Sequence, residues 1–530
     1  MATKQLRRAG AVALALGTAT ALAACSGQVS VGEGGDADAT LIYDLGLEMT
    51  TLDPASTFDV SASTVNSQIY EQLVDYDPES GEIVGELADS WEMNDDATEY
   101  RFTLRDDVTF ESGGTLGSKD VVFALDRLKN LQGPPAYLMD GLTVTADGDE
   151  VVVISSEVPK PELPAMLANE NFSVYDSEAV QEHGAVSDET AATADEAGDI
   201  FFSESFGSGP YSLAGYEPNA QVELAASENW RGDAPDFSKV LVRNSRSIQQ
   251  QILNIQNGGS DLTNSLSSPQ VSELDESKVN VVSQPLPQVI YLALTNSGGP
   301  TVNDDFRKAV ALGLDYDGLL EMAGDGARQA TGVIPTVLEG SIPEGEGLTR
   351  DVEAAKAALA ASGVGDQTLS ISFGSDYAVG GQDMGLFAQK IQSDLEEIGM
   401  NVELDGAPTQ VSRTANQEGK VQAALWPFPP DYADASQFLI HSPGGLLAER
   451  AHWSADQAPD IAALADTAQR VVDRDERAEA YETWARAIRD TNRFIAVVEV
   501  PQNLVSSKRV GNLNMDVTGQ TSLDTLTLEQ

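Results

Sequence analysis

Apolar and polar positions trade places in short runs over the first half of the chain, then recur at helical spacing over the second. Tyr100, Phe102 and Leu104 alternate with polar neighbours, and Val108 and Phe110 repeat the pattern. That period of two predicts a pair of half-buried strands, with Arg105-Asp106-Asp107 as the turn between them. Leu41-Ile42-Tyr43 predicts a first strand and Val151 to Ile154 another. Val121, Val122, Leu125 and Leu128 fall on one helical face, with Ser118 placed to cap it. From Asp304 onward helices dominate. Asp351 to Leu359 predicts one, with Glu353 and Lys356 paired across a turn. Leu386, Phe387, Ile391, Leu395 and Ile398 predict the next, ended by Gly399 and followed by a strand from Asn401. Arg477 to Arg489 predicts a long helix with Ala480, Trp484 and Ile488 on one face, and Ile495 to Val500 a buried strand. Helices alternating with strands predict an α/β architecture. No internal repeat is visible.

Length changes this picture by requiring division. A chain of 530 residues exceeds one ordinary core, so two or three domains are expected. Charge narrows the partners. With 84 acidic against 31 basic residues the net charge is −53, which argues against nucleic acid and against a polybasic grip on anionic lipid. Cys25 is the one cysteine, so an internal disulfide, a cysteine-rich zinc site and a redox pair are excluded. The three histidines, His183, His441 and His452, share no ligand spacing, and no metal or cofactor is expected. No G-x-S-x-G elbow, P-loop or HExxH helix occurs. Two facing acids in a cleft would leave a hydrolase open as a rival, because a glycosidase pair is defined by separation, not by sequence.

The N-terminus predicts export. Lys4, Arg7 and Arg8 precede an apolar run from Ala9 to Ala21 that is too short for a permanent span. Leu22-Ala23-Ala24-Cys25 then resembles the lipobox of bacterial lipoproteins, which implies cleavage before Cys25 and its lipidation. Acyl chains there would anchor the protein, each buried methylene adding about 0.8 kcal/mol. Residues 26–38, rich in Gly, Asp and Glu, predict a flexible tether.

Five segments, in order, carry a family resemblance: Leu52-Asp53-Pro54, Tyr70-Glu71-Gln72-Leu73, Leu87-Ala88-Asp89-Ser90-Trp91, Phe102 to Phe110, and Asp120-Val121 to Arg127. They resemble the "LDP" turn, "YE-x-L" helix, "LA-x-SW" turn, "F-x-LR-x-x-V-x-F" strand and "DV-x-F-x-x-x-R" helix of the family 5 extracellular solute-binding proteins. These are peptide, nickel and oligosaccharide receptors of ATP-driven importers. Gly207-Ser208-Gly209-Pro210-Tyr211 resembles the family's "GTGPY" turn, with glycines where backbone approaches closely. Gly258 to Asp261, Tyr291 to Asn296 and Asp305 to Asp315 continue the likeness, and Asp188–Asp199 reads as an acidic surface insertion.

The resemblance implies a two-lobed, type II periplasmic-binding-protein-like fold in the large family 5 form. The first lobe would run over 39–295 with an extra subdomain at about 65–200, the second over 296–500, and 501–530 would return to the first. It also implies a ligand site. Trp426-Pro427-Phe428-Pro429-Pro430-Asp431-Tyr432 resembles the family's "W-x-x-DY-x-DP" loop, with two residues added and Ala435 in place of the usual proline. In peptide-binding members the loop aspartate holds the ligand's α-ammonium, a charge-assisted contact suited to three N–H donors. That role falls to Asp431, with Trp426, Phe428 and Tyr432 as aromatic walls. Glu48, six residues before Pro54, is a second candidate, and Tyr43 and Tyr211 are further ones. The expected partners are a small solute, a peptide first of all, the permease and ATPase of an importer, and the outer face of a membrane through Cys25. An oligosaccharide or metal-chelate receptor, or a sensor lipoprotein uncoupled from transport, remains open.

Overall fold

The computed structural model describes residues 40–47, 49–78 and 80–529. Cys25, the expected tether and Glu48 lie outside them. Three sheets organise the described chain. The first has seven strands in the order Val279–Pro285, Pro501–Ser507, Leu262–Thr263, Thr40–Leu45, Lys239–Asn244, Gln221–Ala226 and Tyr211–Glu217. Thr40–Leu45 runs parallel to both of its neighbours, and the remaining pairs are antiparallel. The second has six, in the order Arg328–Gln329, Phe494–Glu499, Val289–Leu294, Ala423–Phe428, Thr368–Gly374 and Asn401–Ala407. The third is a four-stranded antiparallel sheet in the order Ala88–Met93, Glu99–Leu104, Val151–Ser156 and Leu142–Ala146.

Each sheet buries its own core. Leu41, Tyr43, Val222, Leu224, Val240 and Leu504 meet on the first. Both faces of the second are covered. Helices at Asp304–Gly313 and Met384–Glu397 pack on one, and Arg474–Asp490 packs on the other. Such two-sided burial explains the unbroken apolar runs of 289–294 and 494–498. The third sheet packs against the helix Ser118–Asn130 through Phe102, Val152, Val121 and Leu125.

The chain passes between the first and second sheets at 286–288 and again at Val500, directly before Pro501. The strand Val289–Leu294, which an expected first lobe of 39–295 would include, pairs wholly within the second sheet. Two lobes joined by two short adjacent strand connections are the geometry of a hinge.

Local expectations need three corrections. The helix Ser118–Asn130 is capped by Gly117, whose N–H donates to Asp120 at 2.9 Å, while the Ser118 hydroxyl bonds Gly148 O instead. The "LA-x-SW" segment is strand from Ala88 onward. The Tyr70 segment is extended: the helix before it, Val60–Ile69, stops at Ile69, and Glu71 pairs with Arg231.

Candidate functional site

The strand Ala423–Phe428 of the second lobe ends in Pro429-Pro430, and the loop that follows reaches the third sheet's subdomain. Asp431 sits at this junction. Its amide donates to Gln437 Oε1 at 3.2 Å, and its carbonyl accepts from Asn169 Nδ2 of the subdomain at 2.6 Å. Its carboxylate accepts a hydrogen bond from the Tyr137 hydroxyl, on the short 3-10 helix Pro134–Met139. Burial pushes the Asp431 carboxyl above its ordinary value, and the Tyr137 hydrogen bond opposes that only in part. No cation is bonded to it among the described residues. Asp434, three positions on, has the opposite environment. It caps the 3-10 helix Ala435–His441 through Ser436 N and takes both N–H groups of Arg477 at 3.0 and 2.6 Å. Arg477 also stands 3.7 Å from Glu162 of the subdomain, so one guanidinium ties the two bodies together.

Further acids gather around Asp431. Glu170 accepts from Ser63, and burial raises its carboxyl, with Asp431 and Asp516 raising it further. Asp75 is pushed up to about 7 by burial and then by Asp516. Half-buried carboxylates without cations form a place where a cationic group gains Coulomb energy in a low dielectric.

The other expected residues separate by position. Tyr432 is buried against the subdomain core and its hydroxyl meets Ser436 Oγ at 3.3 Å. Phe428 is half-buried, edge-on to Phe438 and His441. Trp426 packs in the core of the second lobe beside Tyr377. Tyr43 and Tyr211 are corrected outright. Both are 1% exposed in the core of the first sheet, and the Tyr211 hydroxyl donates to Phe237 O. Strand periodicity explains this, since Leu41, Tyr43 and Leu45 share the buried face. Tyr137, Asn169 and Glu170 were missed. The one local signal was an aromatic residue just after the stiff Gly133-Pro134-Pro135 turn.

The sequence profile of bacterial extracellular solute-binding proteins, family 5 (middle), matches residues 82–445. The chain belongs to this family. Family 5 relatives extend the likeness beyond that span. A probable D,D-dipeptide-binding periplasmic protein, DdpA, of Escherichia coli K12 is 27% identical, with 89% of this chain and 90% of the relative covered. Di/tripeptide-binding protein 2 of Pseudomonas aeruginosa is 26% identical over 75% and 77% of the two chains. Among solved structures, the substrate-binding protein CtaP of Listeria monocytogenes superposes with a TM-score of 0.80 at 19% identity, covering 93% of this chain and 99% of its own. A Pseudoalteromonas dipeptide-binding protein in complex with Met-Leu gives 0.77 at 20% identity, over 92% and 100%. The family 5 fold is therefore two-lobed and periplasmic-binding-protein-like, and the family is one of solute receptors. No helix among the described residues is long and apolar enough to cross a membrane.

Proposed function

We propose that this family 5 protein is the receptor of an ABC importer, capturing a dipeptide or short oligopeptide between its lobes and passing it to a permease. The observation that carries the reading is Asp431: a half-buried carboxylate at the lobe junction, held by backbone contacts on two sides and matched to no cation, next to an Asp434 that is fully matched. A peptide's α-ammonium supplies the missing charge and three donors. Relatives named for dipeptides and tripeptides support that class of ligand. Phe428, Tyr432 and Tyr137 offer aromatic area beside the anchor. A micromolar receptor needs about 8 kcal/mol, within reach of one charged anchor, backbone hydrogen bonds and aromatic burial. Closure would follow from contacts that exist only when both lobes hold the ligand. Lipidation at Cys25 would keep the receptor at the outer face of the membrane, near its permease and ATPase. No bond is broken in this cycle.

Asp431→Asn tests the assignment. Titration calorimetry with a dipeptide should show affinity falling more than about tenfold, the loss expected when a charge-assisted contact becomes neutral. N-acetylation of the peptide should weaken binding to the natural protein and add little further loss in the variant. The melting temperature should hold or rise slightly, because burial penalises the ionised Asp431. Unchanged affinity would remove Asp431 from the site.

A further inference from the structure

Phe58 and Tyr137 are the two exposed aromatic side chains among the described residues, at 49% and 44%; every other Phe, Tyr and Trp there is buried or half-buried. The two are in contact. Their rings meet edge to face, with centroids 6.3 Å apart and planes at 83°. The Tyr137 hydroxyl also donates to the Asp431 carboxylate. One side chain thus touches both the second exposed ring and the candidate anchor. Single exposed apolar residues are ordinary on a protein surface. The one exposed aromatic pair, placed against a carboxylate that has no cation, is not scatter.

The backbone around this group is braced. Phe58 lies between the Asp53-Pro54 turn and the helix Val60–Ile69. The Asn171 side chain donates to Pro54 O and Thr57 O, both at 2.9 Å, and Asp59 caps the helix through Ala62 N at 2.9 Å. Phe58 is therefore held on both sides. The turn that carries Tyr137 rests on the same segment: a Cβ on Gly133 would stand 3.5 Å from Ala55 O and 3.6 Å from Ser56 Cα. Asn169 links the brace to the anchor. Its Oδ1 accepts from Asn171 N at 2.9 Å, and its Nδ2 donates to Asp431 O at 2.6 Å. Printed contacts run unbroken from Phe58 to Asp431 by two routes, through Tyr137 and through Asn171 and Asn169. A site whose parts are locked together before binding loses less entropy when the ligand arrives.

The carbon that bears an α-ammonium also bears a side chain. An ammonium on Asp431 therefore brings that side chain beside Tyr137, and Phe58 is the next apolar surface beyond it. Water leaves both rings if the side chain is apolar, and burying it is favourable in proportion to the area covered.

We propose that Phe58, with the Tyr137 ring, forms a specificity subsite that selects a bulky apolar side chain on the ligand residue carrying the free amine. This inference rests on the peptide reading of Asp431.

Titration calorimetry with four dipeptides, Ala-Ala, Phe-Ala, Ala-Phe and Lys-Ala, tests it on the full chain. Phe-Ala should bind at least about tenfold more tightly than Ala-Ala, the gain expected for burying one large apolar side chain. Ala-Phe should gain no more than about twofold, and Lys-Ala should bind less tightly than Phe-Ala. In Phe58→Ala the ratio between Phe-Ala and Ala-Ala should collapse to within about twofold, while Phe58→Leu, which keeps an apolar side chain, should retain most of it. The ratio is the decisive readout, because a ring that only supported Tyr137 would weaken all four peptides alike and leave it unchanged. An unchanged ratio in Phe58→Ala overturns the subsite. So does equal binding of Ala-Ala and Phe-Ala by the natural protein, a comparison that needs no variant. An Ala-Phe gain matching that of Phe-Ala would assign the rings to the wrong ligand residue, and Lys-Ala binding more tightly than Phe-Ala would make the subsite one for a cation; either overturns the proposal. In each of these cases dipeptides still bind, and the peptide reading stands. Absence of saturable heat from all four would remove that reading and this inference together.

Discussion

Asp53 and Arg127 are separated by 74 positions, and the pair explains why the "LDP" turn and the arginine-ended helix occur in one chain. Arg127 is fully buried. It donates to both Asp53 oxygens at 2.8 and 2.7 Å, and to Asp195 at 2.8 and 3.1 Å. The Asp53 backbone meanwhile closes the turn, its carbonyl accepting from Ser56 N and Thr57 N. Arg127→Met would leave two carboxylates buried without a cation, a change that typically costs about 3–5 kcal/mol. Denaturant unfolding should show a loss of that order, and Arg127→Lys should recover only part, because a point charge cannot serve two forks. A loss under about 1 kcal/mol would mean that water already shares this pocket. The sequence made the turn and the helix legible because both are local patterns. The contact between them was not, and neither was the burial of Asp195 within a stretch read as surface insertion. Ion pairing across such separations leaves no trace in periodicity. The same limit applies at Asp431, whose loop could be read while Tyr137, Asn169 and Glu170 could not.

At the level of elements, the helix Val60–Ile69 resisted reading for a physical reason. Its buried positions include Ser61, Ser63, Thr64, Asn66 and Gln68, so it has no apolar stripe to detect. Those side chains serve as connectors: Ser61 to Gly46 O, Ser63 to Glu170, Gln68 to Thr521 O and Leu523 N. The helices at Ser118–Asn130, Met384–Glu397 and Arg474–Asp490 were legible because each packs one apolar face on a sheet. Close approach was legible too, through glycine. A Cβ on Gly207 would stand 2.0 Å from Ile69 O, the last carbonyl of the polar helix, and one on Gly209 would stand 2.7 Å from Gln68 O. Gly207→Ala should therefore displace the end of that helix and cost about 1–3 kcal/mol, the range for overpacking. Gly198→Ala, with no atom within 4 Å of its Cβ, is the matched control and should change stability by less than about 0.5 kcal/mol. Equal melting of the two variants would show that the helix end yields without strain.

Across the whole molecule, the acid excess was plain in the sequence, but the burial of particular acids was not, and the two act on stability in the same direction. Glu499, fully buried and accepting from Thr336 N and Oγ1 at 2.9 and 2.7 Å, is pushed from 4.5 up to about 7, chiefly by burial. Asp75 is also pushed to about 7 by burial, and burial raises Glu86, Glu170 and Asp516. A raised carboxyl binds its proton more tightly in the folded chain than in the unfolded one. Its stabilising contribution is complete below the ordinary value of 4.5, declines as pH rises, and is gone above about 7. Self-repulsion among the ionised surface acids grows over the same range. Salt separates the causes. At about 1 M the screening length is only about 3 Å, which suppresses repulsion between exposed charges and leaves the desolvation of a buried one almost untouched. Thermal melts should thus show the protein most stable at mildly acidic pH. Added salt should raise the neutral-pH melting temperature without abolishing the decline between 4.5 and about 7, the interval set by Glu499. Glu499→Gln should flatten part of that decline, by roughly 3 kcal/mol at most. A decline that vanishes in salt would assign the pH dependence to the surface alone and make the buried acids irrelevant to it.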